Sequence, residues 1–493
     1  MNRRAKIVAT LGPASADKRV LRRLLKAGVD VVRLNLSHGT HDEHRRNLQR
    51  VRRLSTQAGL HIPVILDLMG PRYRLGHLPA PVTLRRGTLV SLGLEGEASD
   101  LVVDDRQLID ALKPRDRILV DNGLVELRVE GKANGRVTAK VKTAGKVDSR
   151  KGINLPDSDL PFTISAKDEA DIRFAVDIDA DYLAASYVGA AEDIDALRRS
   201  VLAAGGKIPL IAKLERALAV ANLEDLIASA DAVMVARGDL GVEVPLHKVP
   251  ILQKRIISAG RRHGKPVIVA TQMLESMMER KRPTRAESSD VANAVFDGAD
   301  ALMLSGESAI GRHPVDAVRT MGRIISEAER YARTIDKNEH SVGRLADVDL
   351  FAPFEDSDGG GSRTIAFRIA DTIAAAAVHA THTLGLRHVV AFSQGGFTAR
   401  VISRYRPAAP IWMLTTMESV ARRVQLAWGV RPLLLDDDVQ HHDEVISRVD
   451  SELLRHGLAK PGDAIAVLMG DPIRERPMTN LLRLHRIRAL KSG

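Results

Sequence analysis

Cysteine is absent from the 493 residues of this chain. Its absence excludes disulfides, thiolate metal sites and a cysteine nucleophile. Any metal must therefore take oxygen or imidazole ligands, and a site built from oxygen ligands favours hard cations such as Mg²⁺.

Aromatic residues and long apolar runs are also scarce. Phe, Trp and Tyr make up 3% of the chain, which leaves little material for the stacking platforms of nucleic-acid-binding proteins. We therefore attribute the formal charge of +11 to an Arg-rich surface and a site for phosphate-bearing substrates rather than to nucleic-acid binding. No run approaches the roughly 18 apolar residues of a membrane span, and Ile7–Leu11 is too short for a signal-peptide core. We expect a cytoplasmic protein that engages no membrane.

Eight short apolar runs recur along the chain, and helical patterns separate most of them. The runs are apolar on both faces, which is typical of buried parallel strands. Eight strand–helix units predict a (β/α)₈ TIM barrel, which we assign to residues 1–70 and 163–335. Its first helix is expected to begin at an N-cap, Ser15, and to end at Gly28. The predicted strands are Lys6–Leu11, Val29–Leu36, Pro63–Leu68, Asp181–Val188, Pro209–Glu215, Asp231–Arg237, Pro266–Met273 and Ala299–Ser305.

Residues 71–162 interrupt the barrel pattern with a period of two. Turn signals stand at Asn122-Gly123 and Asn134-Gly135, as expected between antiparallel strands. The segment therefore predicts a small β-barrel-like domain inserted after the third barrel strand. Because it leaves the barrel on the face where active sites lie, the insertion can act as a lid.

The C-terminal third of the chain shows a separate pattern. Residues 336–362, which include the segment EDSDGGGSR, are predicted to form a linker. In residues 363–493, helical stretches separate the apolar runs HVVAF, APIWMLT, VRPLLL and AIAVLMG. This alternation predicts a C-terminal α/β domain with a mostly parallel sheet.

Residues that follow the strands of a TIM barrel carry its chemistry. Glu215 and Asp239 follow neighbouring strands, where two carboxylates can share a Mg²⁺ ion with water and substrate oxygens. Lys213 alternates with Glu215 along one strand, and an ammonium group beside a metal stabilises charge on transferring phosphoryl oxygens. A plain salt-bridge network at the barrel rim is the alternative interpretation. The strand-end residues are Arg33, Asn35, Ser37, Asp67, Lys213, Glu215, Arg237, Gly238, Asp239, Thr271, Ser305 and Glu307.

Seven segments resemble the signatures of the pyruvate kinase family. They are RRAKIVATLGPAS, VVRLNLSHG, RKGINLP, IAKLE, AVMVARGDLGVE, ATQMLESM and PTRAESSDVANAVFDGADALMLSGESA. The resemblance extends from Arg3 to about Pro314 and resumes more weakly near the C-terminus. It implies transfer of the phosphoryl group of phosphoenolpyruvate to ADP, giving pyruvate and ATP in the last step of glycolysis. It also implies Mg²⁺ or Mn²⁺ as cofactor, a homotetramer, and a barrel with an inserted β domain and a C-terminal α/β domain.

The resemblance assigns roles to five barrel residues. Lys213 matches the catalytic lysine that supports phosphoryl transfer and enolate formation. Glu215 and Asp239 match the divalent-metal ligands, and Gly238 and Asp239 match the backbone donors to the substrate carboxylate. A glycine lets backbone N–H groups approach a ligand, although a simple turn after a strand also explains Gly238. Thr271 matches the residue near the face where the enolate is protonated, while the group that delivers the proton is not assigned.

Four further residues take their roles from the same resemblance. Arg33 and Arg74 match the arginines that face the transferred phosphate and contact the nucleotide. Lys151 matches a lid lysine that reaches the nucleotide phosphates when the lid closes. Ser186 matches a serine near the substrate pocket.

The segment after the third strand departs from the family pattern D-x-K-G-P-E-I-R. Met69, Arg72 and Tyr73 replace a lysine, a glutamate and an isoleucine. In the family that glutamate accompanies a requirement for K⁺, whereas Arg72 places a permanent positive charge there that repels a cation. We therefore predict that activity does not require K⁺, and an Arg72 that points into solvent is the alternative. The residues that match the monovalent site are Asn35, Ser37, Asp67 and, through its carbonyl, Leu68.

A Gly/Ser/Thr loop opens a helical stretch in the C-terminal domain, which the resemblance implies is regulatory. Ser393, Gly396 and Thr398 keep part of the pattern with which the family binds sugar-phosphate effectors, and such a loop before a helix suits a phosphate. An ordinary strand–helix turn is the alternative.

Two other functions remain open at this point. A catalytically silent paralogue with a regulatory role is supported only by the changes from Met69 to Tyr73, since Lys213, Glu215 and Asp239 are all present. A metal-dependent aldolase does not account for the inserted domain or for RKGINLP.

Overall fold

The computed structural model describes residues 3–133, 135–158, 160–338, 361–436, 439, 441–470 and 479–489. Two strand–helix units and a third strand open the chain. The first helix begins after Asp17, whose side chain accepts from two backbone N–H groups, so the predicted N-cap at Ser15 is wrong. Gly28 ends the helix with a φ of 107°, as a C-terminal glycine does. The elements are β1 (Lys6–Thr10), α1 (Lys18–Ala27), β2 (Val31–Asn35), α2 (His41–Gln57) and β3 (Val64–Asp67).

The insertion after β3 forms two sheets around one apolar core. Six strands pair in the order β11-β7-β8-β9-β5-β6, and β4 pairs with β10 separately. Leu92, Ile118 and Leu127 are fully buried in their shared core. The elements are β4 (Val82–Leu84), β5 (Leu89–Leu94), β6 (Leu101–Val103), α3 (Arg106–Ala111), β7 (Arg117–Val120), β8 (Val125–Ala133), β9 (Arg136–Val141), β10 (Gly145–Val147) and β11 (Ile153–Asn154).

The remaining strands of the first domain close a barrel with β1–β3. The order is β1-β16-β15-β14-β13-β12-β3-β2, so the prediction of an eight-stranded parallel barrel is confirmed. Short 3₁₀ turns at Leu246–Lys248 and Glu275–Met278 lie between the elements. The elements are α4 (Ala166–Asp177), β12 (Tyr182–Ala185), α5 (Ala191–Ala203), β13 (Leu210–Leu214), α6 (Ala217–Ala221), α7 (Leu223–Ser229), β14 (Ala232–Ala236), α8 (Arg237–Glu243), α9 (Val249–Arg262), β15 (Val267–Ala270), α10 (Arg285–Phe296), β16 (Ala301–Leu304), α11 (Gly306–Ala309) and α12 (Pro314–Asn338).

The C-terminal domain contains a five-stranded sheet in the order β19-β18-β17-β20-β21. Its first four strands are parallel, as predicted, and β21 pairs antiparallel with β20. Residues 339–360 of the predicted linker lie outside the described residues, while 336–338 and 361–362 belong to helices, which corrects both of its ends. The elements are α13 (Gly361–Leu384), β17 (His388–Phe392), α14 (Phe397–Arg404), β18 (Ile411–Thr415), α15 (Glu418–Arg423), β19 (Val430–Leu434), α16 (His442–Arg455), β20 (Ala464–Met469) and β21 (Leu481–Arg486).

The C-terminal domain packs against the N-terminal ends of the barrel strands. Leu426, in a 3₁₀ turn after α15, is fully buried in the inner barrel core beside Ile65 and Met234. Arg422 donates to Asp181 Oδ1 over 2.7 Å. This packing leaves the opposite rim, at the C-terminal ends of the strands, for the lid and the site. Within the described ranges, no helix combines the length and apolar character needed to cross a membrane.

Lys6 gives this domain interface a pH dependence. Its ammonium group donates to Gln425 Oε1 (3.1 Å) and to the Val430 carbonyl (2.7 Å). Burial lowers its pKa from 10.5 to about 8, against the opposing charge of Asp30. Because the unfolded chain then binds more protons between these pH values, the free energy of unfolding should rise with pH through this window, by up to about 3 kcal/mol.

We expect the variant Lys6→Met to lack this rise. Urea unfolding at pH 7.5 and at pH 10 measures the change in the free energy of unfolding, with the parent chain as reference. Lys6→Gln serves as a second neutral variant. An equal rise in the parent chain and in the neutral variants would contradict the assignment to Lys6.

Candidate active site

The strand-end residues of the barrel converge on one rim. Arg33 lies in β2 and Asp67 ends β3, Lys213 lies in β13, and Thr271 follows β15. Asp239 lies in the first turn of α8, directly after β14. Since parallel strands present their carboxyl ends at the same edge of the barrel, the topology brings these side chains together.

Lys213 is buried at the centre of the cluster. Its Nζ lies 2.8 Å from Glu215 Oε1 and 3.2 Å from Asp67 Oδ1, and it donates to Ser186 Oγ over 2.6 Å. Burial alone would lower the pKa of Lys213, but the charges of Asp67 and Glu215 outweigh it and raise this pKa above its usual value. The lysine therefore stays protonated throughout the physiological pH range.

Arg33 and Lys213 hold Asp67 between them. Arg33 Nε donates to Asp67 Oδ2 over 2.6 Å and Arg33 Nη1 donates to Thr10 Oγ1 over 3.1 Å. Burial would raise the pKa of Asp67, which is 1% exposed, but the charges of Arg33 and Lys213 lower it below its usual value. Asp67 is thus a fixed anion that orients two cations toward the rim.

Glu215 and Asp239 form the acidic pair of the site. Glu215 is 1% exposed and accepts from the Tyr187 backbone N–H over 2.8 Å. Burial raises its pKa to about 7, Lys213 opposes the rise, and the charge of Asp239 adds to it. The pKa of the Tyr187 hydroxyl is raised first by burial and then by both carboxylates. Asp239 therefore lies within electrostatic range of Glu215.

This donor set fits a divalent cation. Carboxylate oxygens are the ligands of hard cations. A cation between Glu215 and Asp239 would favour the ionised form of Glu215 against the burial and the Asp239 charge that raise its pKa. Among the residues that the structure describes, no group of three or more His, Asp or Glu side chains forms a metal cage. An ion held by this pair would keep positions open for substrate oxygens and water.

Thr271 and Gly238 contact each other directly. The Gly238 N–H, expected from the sequence to face a substrate carboxylate, donates to Thr271 Oγ1 over 2.7 Å, and that hydroxyl donates to the Ala270 carbonyl over 2.6 Å. Thr271 has a φ of 68°, a region that a β-branched residue rarely adopts. A substrate carboxylate would have to displace the threonine from this N–H.

Arg237 holds the strained turn, and the sequence assigned it no role. Its Nη2 donates to the Thr271 carbonyl over 2.7 Å, and its Nη1 donates to Asp290 Oδ1 over 2.7 Å. Arg237 therefore positions Thr271 and does not face the acidic pair. The sequence places Arg237 among the strand-end residues, directly before Gly238 and Asp239, but did not predict its contact with Thr271.

The two lid cations, Arg74 and Lys151, contact other residues of the inserted domain. Arg74 Nη1 donates to the Arg150 carbonyl over 3.0 Å, and Lys151 Nζ lies 2.9 Å from Asp121 Oδ2. These contacts of Arg74 and Lys151 therefore lie within the inserted domain.

Most oxygens of the predicted site for a monovalent cation already accept a hydrogen bond or take part in an ion pair. The Leu68 carbonyl accepts from Ser186 Oγ over 2.8 Å, and Asn35 Oδ1 accepts from the Ser37 N–H over 3.1 Å. Asp67 pairs with Arg33 and Lys213 as described above. These contacts occupy oxygens that a monovalent ion would use.

Two family models match the chain over most of its length. Residues 2–318 match the pyruvate kinase barrel domain, and residues 371–485 match the pyruvate kinase alpha/beta domain. The chain belongs to the pyruvate kinase family. As a member of this family it is a phosphotransferase.

Individual pyruvate kinases resemble the chain along its whole length. One from Agrobacterium vitis is 40% identical over 98% of both chains, and one from Mycobacterium tuberculosis is 39% identical over 99% of both. A crystal structure of a pyruvate kinase from Cryptosporidium parvum superimposes with a TM-score of 0.86 at 30% identity, covering 99% of this chain and 96% of that one.

The loop that resembles the effector loop of pyruvate kinases precedes α14. Gly396 has a φ of 74°, and a Cβ there would lie 2.5 Å from a Val424 methyl group, so only glycine fits. Ser393 is buried at the end of β17, and the hydroxyl of Thr398 lies 2.6 Å from that of Thr479. The Thr398 hydroxyl therefore has a partner inside the domain.

Proposed function

We propose that this chain catalyses the pyruvate kinase reaction, the transfer of the phosphoryl group of phosphoenolpyruvate to ADP. The observation that carries the proposal is the buried ammonium group of Lys213, held 2.8 Å from Glu215 at the barrel rim, with Asp239 in electrostatic range of the same carboxylate. Glu215 and Asp239 would hold Mg²⁺ or Mn²⁺, which supplies positive charge for the phosphoryl and carboxylate oxygens when bound.

The chain's own residues bind and orient the substrates. Lys213, fixed by three contacts, stabilises negative charge on the transferring oxygens and on the enolate. Arg33, oriented by Asp67, faces the phosphoryl group. Thr271 lies beside the face where the enolate is protonated. Arg74 and Lys151 reach the nucleotide phosphates when the lid closes and excludes water.

A lactate-dehydrogenase-coupled assay with phosphoenolpyruvate, ADP and Mg²⁺ tests the proposal. We expect pyruvate to form, and chelation of the divalent cation to stop its formation. No turnover from a folded chain would favour the silent paralogue instead.

We propose further that turnover does not require K⁺. Arg72 is exposed, and it lines a small open pocket together with Tyr187, Asn154 and Glu243. Its charge lowers the pKa of the Tyr187 hydroxyl, against burial, which raises it. A monovalent cation about 4 Å from this guanidinium would be repelled by roughly 1–4 kcal/mol, depending on the local dielectric.

We expect turnover to change less than twofold when K⁺ is replaced by tetramethylammonium. In the variant Arg72→Glu, K⁺ should raise turnover roughly tenfold, because the repulsion becomes an attraction. Arg85→Glu, at an exposed lid position, is the matched control and should remain insensitive to K⁺. A tenfold loss of parent turnover without K⁺ would contradict the prediction.

The quaternary and regulatory expectations also stand as proposals. By family resemblance we propose a cytoplasmic homotetramer whose loop at Ser393–Thr398 binds a phosphorylated effector. The position of this loop directly before α14, where backbone N–H groups at a helix start suit a phosphate, supports the effector site. Sedimentation and effector titration of the coupled assay test these two points.

A further inference from the structure

Two consecutive residues after β15 have a left-handed backbone conformation. Thr271 has a φ of 68° and Gln272 has a φ of 53°. This conformation is costly for residues other than glycine, and above all for a β-branched residue such as threonine. Strain of this kind persists only where the surrounding structure holds it in place. The contacts that hold this turn therefore bear on the function of Thr271.

The side chain of Arg237 fixes both peptide units that flank the Cα atom of Thr271. Its Nε donates to the Ala270 carbonyl over 3.3 Å, and its Nη2 donates to the Thr271 carbonyl over 2.7 Å. Because peptide units are planar, the orientation of the two units around a Cα atom defines the φ and ψ of that residue. One guanidinium group therefore holds Thr271 in its left-handed conformation.

Two helices outside the barrel strands hold Arg237 itself. Asp290 in α10 accepts from Arg237 Nη1 over 2.7 Å, and Gln253 Oε1 in α9 lies 3.4 Å from the same nitrogen. The side chain of Arg237 is 11% exposed, whereas that of Asp290 is 36% exposed. A guanidinium group presents its donors in a rigid planar fork, so the contact with Asp290 sets which nitrogens face the turn.

The left-handed turn determines where the Thr271 hydroxyl lies. Its oxygen accepts from the Gly238 N–H over 2.7 Å, and a Cβ at Gly238 would lie 3.4 Å from that oxygen, so the turn packs closely against α8. Side-chain direction follows the backbone conformation. A turn that relaxed to a negative φ would therefore carry the hydroxyl away from the start of α8, where Asp239 also lies.

We infer that Arg237, oriented by Asp290, is a positioning residue for protonation of the enolate at carbon three. The inference rests on the proposed function, in which Thr271 lies beside the face where the enolate is protonated. In this step a proton that originates from water forms a C–H bond with the electron pair of the enolate double bond. The enolate oxygen then becomes the keto oxygen of pyruvate.

Phosphoryl transfer depends on other contacts. Lys213 and Arg33, which act on the phosphoryl group in the proposed function, are oriented by Asp67. The two steps can also be measured separately. Exchange of the methyl protons of pyruvate with D₂O, followed by NMR with Mg²⁺ and ATP present, reports the proton transfer. Single-turnover formation of ATP from phosphoenolpyruvate and ADP reports the phosphoryl transfer.

We expect Arg237→Met to lower the exchange rate roughly 10–100-fold, the loss typical of removing a supporting contact of a site, and the rate of phosphoryl transfer less than about threefold. Arg237→Lys should resemble Arg237→Met, because an ammonium group keeps the charge but lacks the fork that reaches both carbonyls. Asp290→Asn should lower the exchange rate roughly three- to tenfold, since the guanidinium group keeps its contacts with the turn.

Arg52→Met is the matched control for a purely structural loss. The side chain of Arg52 is 21% exposed, pairs with Asp181 over 2.7 Å and donates to the Ile62 carbonyl over 3.0 Å, at the N-terminal ends of the barrel strands. Its removal should lower the free energy of unfolding and leave the ratio of exchange to phosphoryl transfer unchanged. If Arg237→Met does not fold, Asp290→Asn replaces it, because Asp290 is partly exposed.

Three results would overturn the inference. They are equal losses of exchange and phosphoryl transfer in the Arg237 and Asp290 variants, an unchanged exchange rate in these variants, and the same change of ratio in Arg52→Met. The coupled assay of the parent chain separates this inference from the proposed function. A parent chain that forms no pyruvate contradicts the proposed function, whereas an active parent with the same ratio as its variants contradicts only the role of Arg237.

Discussion

Lys213→Gln should lower kcat by at least about 10²–10³-fold, the loss typical of removing one preorganised charge donor from a transition state. The Nζ of Lys213 is the only cationic group within 4 Å of Glu215 among the described residues, and it also contacts Asp67 and Ser186. No neighbouring side chain can replace it, because Arg33 is held by Asp67 and Thr10. Single-turnover kinetics with phosphoenolpyruvate measure the effect on the chemical step.

Lys213→Gln should also lower the free energy of unfolding. A matched control variant separates this loss of stability from the loss of catalysis. Removing the cation from a buried ion pair costs about 3–5 kcal/mol. Lys167 lies 2.5 Å from the buried Asp171 and donates to the Leu36 carbonyl, outside the cluster around Lys213. Lys167→Gln should therefore lower the free energy of unfolding while keeping most of the turnover. Comparable kcat losses in both variants would remove Lys213 from the chemistry.

Glu215→Gln should weaken Mn²⁺ binding by at least about 10–100-fold, the loss that even an indirect disturbance of a metal site produces. Because phosphoryl transfer depends on the charge of the metal, kcat/KM at fixed Mg²⁺ should fall by a comparable factor. Asp239→Asn should behave in the same way. Paramagnetic titration with Mn²⁺ measures the affinity directly.

The free energy of unfolding distinguishes Glu215→Gln from Lys213→Gln. Burial, with a further contribution from Asp239, outweighs the ion pair with Lys213 and raises the pKa of Glu215 from 4.5 to about 7. Ionisation of Glu215 at pH 8 therefore opposes folding, and a neutral glutamine should leave the metal-free chain no less stable at that pH. Glu243→Gln is the control: Glu243 lies at the far end of α8 and accepts from Asn154 Nδ2 over 2.9 Å, which a glutamine oxygen can also do. Unchanged Mn²⁺ affinity in Glu215→Gln would contradict the ligand assignment.

Much of the fold could be predicted because its signals are local. The barrel strands are apolar on both faces, and the lid strands alternate with a period of two, so each leaves its pattern in a short window. The edge strand β21 was missed because its sequence LLRLHR carries charge and pairs only with β20. The helix start was misplaced because Ser15 and Asp17 are both good caps, and Ser15 Oγ instead accepts from the Gly12 N–H.

The sequence predicts which residues form the candidate site, but it does not predict how their side chains contact one another. Strand ends identify which residues reach the rim, and Lys213, Glu215 and Asp67 do meet there. The hydrogen bond between Gly238 and Thr271 depends on a positive φ at a threonine, which no residue preference would suggest. The positions of the lid cations depend on how the inserted domain packs against the barrel, a long-range property that a local pattern does not contain.

The acidic pair is tested most directly by diffraction from crystals of the full chain grown with Mn²⁺ and pyruvate, using the anomalous signal of the metal. We expect one Mn²⁺ ion in contact with a carboxylate oxygen of Glu215 and one of Asp239, with the Lys213 ammonium group alongside. Mn²⁺ bound elsewhere, or the two carboxylates turned apart with no space for an ion between them, would contradict the proposed metal site and the phosphoryl transfer that depends on it.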